Sequence, residues 1–144
     1  MSLTRTQCEV ELLSRCGKLL TAASLDGVTA NGSNPDLNSP LGFALRQCGG
    51  SVADPSQVAD SDLSSFAASS YDKLFDLAEY RTLENISGNL DLVDIQEGPH
   101  KENLSQLAAQ VEKRLARLEK TLQAKYYGLF QKTASFTVLS EYDD

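Results

Sequence analysis

Three cysteines and a single histidine are the side chains of this sequence with the most specific chemistry. They are Cys8, Cys16, Cys48 and His100. A zinc site uses closely spaced Cys and His ligands, and a catalytic thiol or histidine needs a partner that activates it. No CxxC pair occurs, an odd number of cysteines makes a poor disulfide framework, and no second histidine can assist His100. We therefore expect no metal, no cofactor and no catalytic residue, and we expect that the protein is not an enzyme.

Acidic and glycine-containing stretches also differ from known binding motifs. The glycine patterns GxxxxGK[ST] and GxGxxG, which hold phosphates, do not occur. Asp26, Asn31 and Asp36 lie in one loop, but their spacing does not match the one-three-five ligand series of a calcium loop. The net charge of −7 argues against general nucleic-acid binding, because neutralising phosphates requires surplus Lys and Arg.

Charge is unevenly distributed along the chain. Residues 1–99 contain 6 basic and 14 acidic side chains, whereas residues 100–132 contain 7 basic and 3 acidic ones. Four of the five basic side chains on the last predicted helix lie within eight residues, and they are Lys113, Arg114, Arg117 and Lys120. Two interpretations of this basic face stay open: a solvated helix surface, or a surface that meets an acidic partner subunit or DNA.

Helices should position these residues, because Leu and Ala supply most of the apolar side chains and aromatic residues make up only 7% of the chain. The first helix is predicted over 5–23, where apolar residues recur with a helical period and bring two cysteines onto one buried face. Thr4 or Thr6 can cap this helix. Glu9, three residues after Thr6, would complete a capping box.

The middle of the chain is rich in turn-forming residues. Residues 25–40 combine Gly, Pro, Asn and Asp, which indicates a loop inserted between helices. A short helix is predicted after this loop, with Asn38 or Ser39 as its cap and with Gly49 and Gly50 as its stop.

A third helical region is predicted over 62–86, with a break at Ser69 or Ser70 and an end at Gly88 or Asn89. The segment that follows alternates apolar and acidic residues, so it is either a short strand or an exposed acidic loop, and we favour the loop. Its three acids, which a helix would bring onto one face able to bind a cation, are Asp91, Asp94 and Glu97.

The last helix has the clearest pattern, over 102–127, with Gly128 as its stop. A heptad seam runs along it, formed by Leu104, Ala108, Val111, Leu115, Leu118 and Leu122. The seam either faces the core of a bundle, which we favour, or forms a coiled coil with a second subunit.

The chain ends with "GLFQKTASFTVLSEYDD". We predict a mainly α fold in which residues 1–128 form a small helical bundle and residues 129–144 form an extended interaction tail. The tail's apolar side chains can anchor it on a partner, and they are Phe130, Phe136, Val138, Leu139 and Tyr142. The stretch "SFTVLS" is β-prone and could add a strand to a partner sheet, and the acidic "EYDD" suits a basic surface.

The order of these features resembles the head-to-tail adaptor proteins of tailed bacteriophages, also called connector or head-completion proteins. The likeness lies in an N-terminal helix, a loop-rich middle, the acidic helix "SYDKLFDLAEYRTLENI", and a long basic helix followed by a tail. The stretch "LFDLAEYRTLENISGNLDLVDIQEGPHKENLSQLAAQVEKRLARLEK" also resembles phage structural proteins of uncharacterised function.

This resemblance implies a virion structural protein of the neck, made in the host cytoplasm, that forms a homo-oligomeric, twelvefold ring beneath the portal. Its implied partners are the portal protein and a stopper or tail-terminator protein. Packaged DNA would pass through the channel without sequence-specific binding, and no membrane would be involved. The alternative function is a helical nucleic-acid-binding or regulatory module that dimerises through the 104–122 seam.

Overall fold

A computed structural model describes residues 2–64, 66–96 and 101–126, with side chains described at 2–64, 66–90 and 106–126. These residues are mainly α-helical, as predicted, and contain no β-strand. The helices are α1 (Arg5–Ala22), α2 (Asn38–Gln47), α3 (Asp60–Leu63), α4 (Tyr71–Gln96) and α5 (Lys101–Lys125). None of the helices in the described ranges is both long and apolar enough to span a membrane.

Helix α4 is the centre of the bundle, because α1, α2 and α5 all pack against it. Its buried side chains recur at helical spacing along one broad stripe, and they are Leu74, Leu77, Ala78, Leu83, Ile86 and Leu90. Such a wide apolar stripe is typical of a helix that contacts neighbours on several sides. The core of the described chain therefore lies around α4.

Helix α1 begins and ends close to where the periodicity predicts, and Thr4, one of the two predicted caps, is its N-cap. The hydroxyl of Thr4 accepts a hydrogen bond from the backbone N–H of Gln7, and the Gln7 side chain accepts one from the N–H of Thr4. The predicted box from Thr6 to Glu9 is wrong. Glu9 is instead fully buried against Arg5, one turn earlier on the same helix.

The loop over 25–40 is held against α1 by that buried carboxylate. Glu9 Oε1 accepts a hydrogen bond from the N–H of Gly32 at 2.7 Å, and Oε2 accepts one from the N–H of Asn34 at 2.9 Å. A 3₁₀ turn, Pro35–Leu37, then leads into α2. The loop is thus an ordered, partly buried element of the bundle.

Helix α2 starts at Asn38, so the predicted capping role of Asn38 or Ser39 is wrong, and Leu37 holds the cap position. The Asn38 side chain has another role: its Oδ1 accepts from the N–H of Val58 at 2.6 Å and from Arg5 at 3.1 Å. The predicted stop is confirmed, since the helix ends just before Gly49, which has a φ of +90°.

The predicted break near Ser69 and Ser70 is confirmed by the 3₁₀ turn Ala68–Ser70, which directly precedes α4. The predicted end at Gly88 or Asn89 is wrong, because α4 continues to Gln96. A mid-helix glycine costs about 1 kcal/mol relative to alanine. Full burial of Leu90 outweighs this cost, because burying a leucine side chain contributes about 2 kcal/mol.

The exposed acidic loop expected after Gly88 is therefore helical backbone as far as Gln96. Asp91 and Asp94 lie on this helix, although their side chains are outside the described set, and Glu97 lies outside the described residues.

Helix α5 packs its heptad seam on α4, which confirms the core-facing prediction for the described part of the seam. Val111 and Leu122 are buried, and the intervening seam residues are partly buried against the same core. This seam is occupied within the bundle. Each seam residue from Ala108 to Leu122 has neighbours within the bundle.

Candidate assembly groove

The predicted basic face of α5 separates into two parts. Lys113, Arg117 and Lys120 follow one another at helical spacing and are exposed. Arg114 instead lies against the bundle: its Nη2 donates to Glu79 of α4 at 3.0 Å and to the carbonyl of Arg15 in α1 at 3.0 Å. Three of the four predicted residues therefore form a solvent-facing stripe, and the fourth connects helices.

Glu79 is shared by two arginines from different helices. Its Oε1 lies 3.1 Å from Nη1 of Arg15, and its Oε2 lies 3.0 Å from Nη2 of Arg114. Arg15 also pairs with Glu11 at 2.8 Å and with Asp76 at 3.1 Å. Burial opposes the charge on Arg15, but the hydrogen bonds to Glu11 and Asp76 raise its pKa. This network connects α1, α4 and α5 through charges that remain at least partly shielded from water.

The end of α5 is attached to the same network. The Tyr126 hydroxyl lies 3.3 Å from Asp76 Oδ2, and the Lys125 ammonium lies 3.5 Å from that oxygen. Lys73 contacts the Tyr126 ring at 5.4 Å from its centroid. Burial, and then the Asp76 carboxylate, raise the pKa of Tyr126 to about 12. The last described residues of the chain therefore lie beside Asp76, which is bonded to Arg15.

A groove with a cavity volume of about 530 Å³ lies between α1 and α5. Its apolar lining comes from Leu13, Leu19 and Val111, and its basic lining comes from Arg15, Lys18 and Arg114. Val10 lies one turn before Leu13 on α1 and is 55% exposed. No carboxylate is among the described lining residues.

Lys18 is the cation of this groove that is available to a partner. Arg15 and Arg114 are already paired with acidic side chains, whereas Lys18 is exposed and makes no ion pair with a described residue. An apolar floor beside an available positive charge suits a segment that carries large apolar side chains next to carboxylates. Sequence reasoning missed Lys18 because an isolated lysine on a helix has no distinctive pattern.

The cysteines lie away from this groove or beneath it. Cys8 and Cys16 are buried on one face of α1, as predicted, and all three thiols are free. Burial raises the pKa of Cys8 and of Cys16 to about 12, so both remain protonated near neutral pH. Nucleophilic chemistry requires the thiolate. In their protonated form, both side chains pack in the core as small apolar groups.

Carboxylates of the 25–40 loop bind backbone amides. Asp36 accepts from the N–H of Asp26, and Asp26 accepts from the N–H groups of Val28 and Thr29. Across the described ranges, no group of three or more His, Cys, Asp or Glu side chains is arranged to hold a metal ion. The predicted tail anchors all lie outside the described residues, and they are Phe130, Phe136, Val138, Leu139 and Tyr142.

Comparison with known proteins adds no relative. No protein-family model matches the chain, and no curated protein or solved structure is significantly similar to it. The role of the groove and of the basic stripe therefore has to follow from their own chemistry and from the sequence.

Proposed function

We propose that this protein is a structural subunit that assembles with copies of itself, in the role of a ring-forming head-to-tail adaptor in the neck of a tailed bacteriophage. In this role it joins the portal to a stopper or tail-terminator protein and leaves a channel for DNA. The observation that carries the proposal is the open α1–α5 groove, whose apolar lining and available Lys18 complement the chain's own C-terminal sequence. The resemblance of the sequence to adaptor proteins supplies the place in the virion.

The occupant of the groove in this proposal is the tail, residues 129–144, of a neighbouring copy. Its aromatic and aliphatic side chains, such as Phe136 and Leu139, would contact the apolar lining. Its end carries Glu141, Asp143 and Asp144, which would lie near Lys18. Protein interfaces commonly have apolar anchors at the buried centre and charged pairs at the rim.

The tail of a neighbouring subunit is long enough to reach this groove. Eighteen residues follow Tyr126, and an extended chain of that length spans up to about 60 Å. The groove follows only Leu13 to Leu19 on α1, which is about 9 Å of helix. A tail much longer than its own groove can reach another subunit.

A contact of this type is heterologous, because the tail of one copy meets a different surface, the groove, on the next copy. Repeated heterologous contacts produce a ring when the rotation closes. The basic stripe of α5 (Lys113, Arg117 and Lys120) then remains free for an acidic partner subunit or for weak contact with passing DNA. The net charge of −7 is consistent with a channel that does not grip DNA.

Mass measurement tests this function. We expect the full chain, analysed by light scattering after size exclusion, to form a closed oligomer or to bind a purified portal ring. A chain that stays monomeric and fails to bind the portal would contradict the proposal. A gel-shift assay at low salt separates the alternative: strong, salt-sensitive binding to DNA would favour the nucleic-acid-binding module.

A further inference from the structure

We propose that a small pocket between α2 and α4 binds a phosphate group, independently of the assembly groove. The pocket has a cavity volume of about 230 Å³, and its lining includes the guanidinium groups of Arg46 and Arg81 together with Asn38, Ser39 and Phe43. Two guanidinium groups that line one pocket repel each other, so an anion between them is favoured.

Arg81 is held in place by contacts that leave hydrogen-bonding capacity unused. Its guanidinium lies 4.7 Å from the centre of the Phe43 ring, and Nη1 lies 3.4 Å from Glu84, with both side chains of that pair about 40% exposed. Its Nε is buried and has no hydrogen-bond partner among the described residues. The Arg81 side chain as a whole is 40% exposed, so an anion in the pocket would contact its terminal nitrogens and not the enclosed Nε.

Arg46 is the second, unpaired cation of the pocket. It is exposed and makes no hydrogen bond or ion pair with a described residue. A Cβ atom added to Gly42 would lie 3.4 Å from both terminal nitrogens of Arg46, so the guanidinium lies over that glycine. The first turn of α2, which contains Ser39, also lines the pocket and adds the partial positive charge of a helix start.

The number of donors favours phosphate over carboxylate. A single guanidinium fork satisfies both oxygens of a carboxylate, whereas a tetrahedral phosphate has further oxygens for a second fork and for the Ser39 hydroxyl. The volume accommodates a phosphate with a small ester group. The acidic net charge of the chain disfavours a nucleic acid as the source, so we assign the site to inorganic phosphate or a small phosphomonoester.

Titration of the ¹⁵N-labelled full chain with inorganic phosphate, at ionic strength held constant with NaCl, tests the assignment. We expect the Arg81 Nε–H resonance and the amides of the first turn of α2 to shift together. Arg46→Gln should fold normally, because Arg46 is exposed and unpaired, and should weaken phosphate binding by about tenfold or more. Arg81→Lys, which keeps the charge and removes the fork, should also weaken it.

Arg117→Gln is the matched control, because it removes the same charge from the exposed stripe of α5. The proposal would be overturned if Arg117→Gln weakened phosphate binding as much as Arg46→Gln does, or if the Arg81 Nε–H resonance did not shift. Parallel titrations with glycerol phosphate and with a short oligonucleotide distinguish the sources. Binding of the oligonucleotide alone would overturn the assignment to a small phosphate ligand.

Discussion

The Nε of Arg5 lies 2.9 Å from Oε2 of Glu9, and the two side chains are only 1% and 0% exposed. Around this buried pair, Arg5 also donates to the carbonyl of Asn34 at 2.7 Å and to the carbonyl of Val58 at 2.9 Å. The pair therefore binds both the loop between α1 and α2 and the segment between α2 and α3. An (i, i+4) Arg–Glu spacing is common on exposed helices, so the sequence alone does not reveal that this one is buried.

Removing one partner of this pair should destabilise the protein strongly. Arg5→Met leaves the Glu9 carboxylate buried without its cation, and breaking a buried pair in this way costs about 3–5 kcal/mol. Urea denaturation should show this loss in the free energy of unfolding. Arg15 and Glu11 form the matched control, because Glu11 is 41% exposed, and Glu11→Gln should cost less than about 1 kcal/mol. Equal effects of the two substitutions would contradict the role of burial.

Two glycines should respond in opposite ways to alanine. Nothing lies within 4 Å of a Cβ at Gly88, which is in the middle of α4, so Gly88→Ala should stabilise the protein by up to about 1 kcal/mol. A Cβ at Gly27 would overlap the carbonyl oxygen of Gly17 and the Thr21 hydroxyl, so Gly27→Ala should lower the melting temperature. Loss of stability in Gly88→Ala would show that α4 ends at that residue.

The course of α4 illustrates what sequence patterns can predict. Its first three turns follow from the spacing of Leu74, Leu77 and Ala78, because an apolar stripe needs no knowledge of its neighbours. Its continuation beyond Gly88 depends on the burial of Leu90, which is a tertiary contact. A local glycine signal predicted a stop there, and packing of the distant helices outweighed it.

The groove could be predicted only in part for a similar reason. The heptad seam of α5 correctly predicted which face packs inward, and the charge count identified the exposed stripe. The sequence did not indicate that Arg114 turns towards Glu79, or that α1 would bring Lys18 beside Val111. Those relationships depend on how three helices are placed around α4. Periodicity within a single helix does not specify that placement.

Alkaline pH should destabilise the fold through its buried thiols. Cys8 and Cys16 titrate near pH 8.5 in an unfolded chain, whereas burial raises the pKa of each to about 12 in the folded one. The contribution of these protonated thiols to the free energy of unfolding is complete below the pKa of the unfolded chain and is lost as the pH rises through the pKa of the folded chain. Between about pH 8.5 and 10, the free energy of unfolding should fall by up to about 1.4 kcal/mol per pH unit for each thiol.

Variants assign this pH dependence to its source. Cys16→Ala should remove part of the slope, and Cys48→Ala should leave most of it, because Cys48 is only half-buried. Urea denaturation at a series of pH values measures it. An unchanged slope in Cys8→Ala and Cys16→Ala would contradict the prediction. Tyr126, whose pKa is raised to about 12, would add a further loss only above about pH 10.

Phe136→Ala should weaken assembly and leave the fold of the single subunit nearly unchanged. Truncating a buried aromatic anchor typically costs an interface about 2 kcal/mol or more. Sedimentation at several concentrations should therefore show a dissociation constant raised by about thirtyfold, with an unaltered melting temperature under conditions where the subunit is monomeric. Thr137→Ala, at the next position of the tail, is the control. A matching fall in the monomer's melting temperature would indicate that the tail packs on its own bundle.

A charge swap tests whether the tail occupies the α1–α5 groove. Lys18→Glu places a carboxylate beside the acidic end of an incoming tail, and like charges brought together across an interface cost several kcal/mol. We expect the dissociation constant for self-association of this variant to rise by at least about tenfold. Its melting temperature as a monomer should not change, since Lys18 is exposed and makes no ion pair with a described residue.

Asp143→Lys with Asp144→Lys should then restore assembly in the Lys18→Glu background, because the complementary charges have exchanged places. Lys113→Glu, on the exposed stripe of α5, is the matched control and should not be rescued by the same tail. If Lys18→Glu assembles as well as the unaltered chain, the tail binds a surface other than this groove. If Lys18→Glu and Lys113→Glu lose assembly equally, the loss is a general effect of net charge.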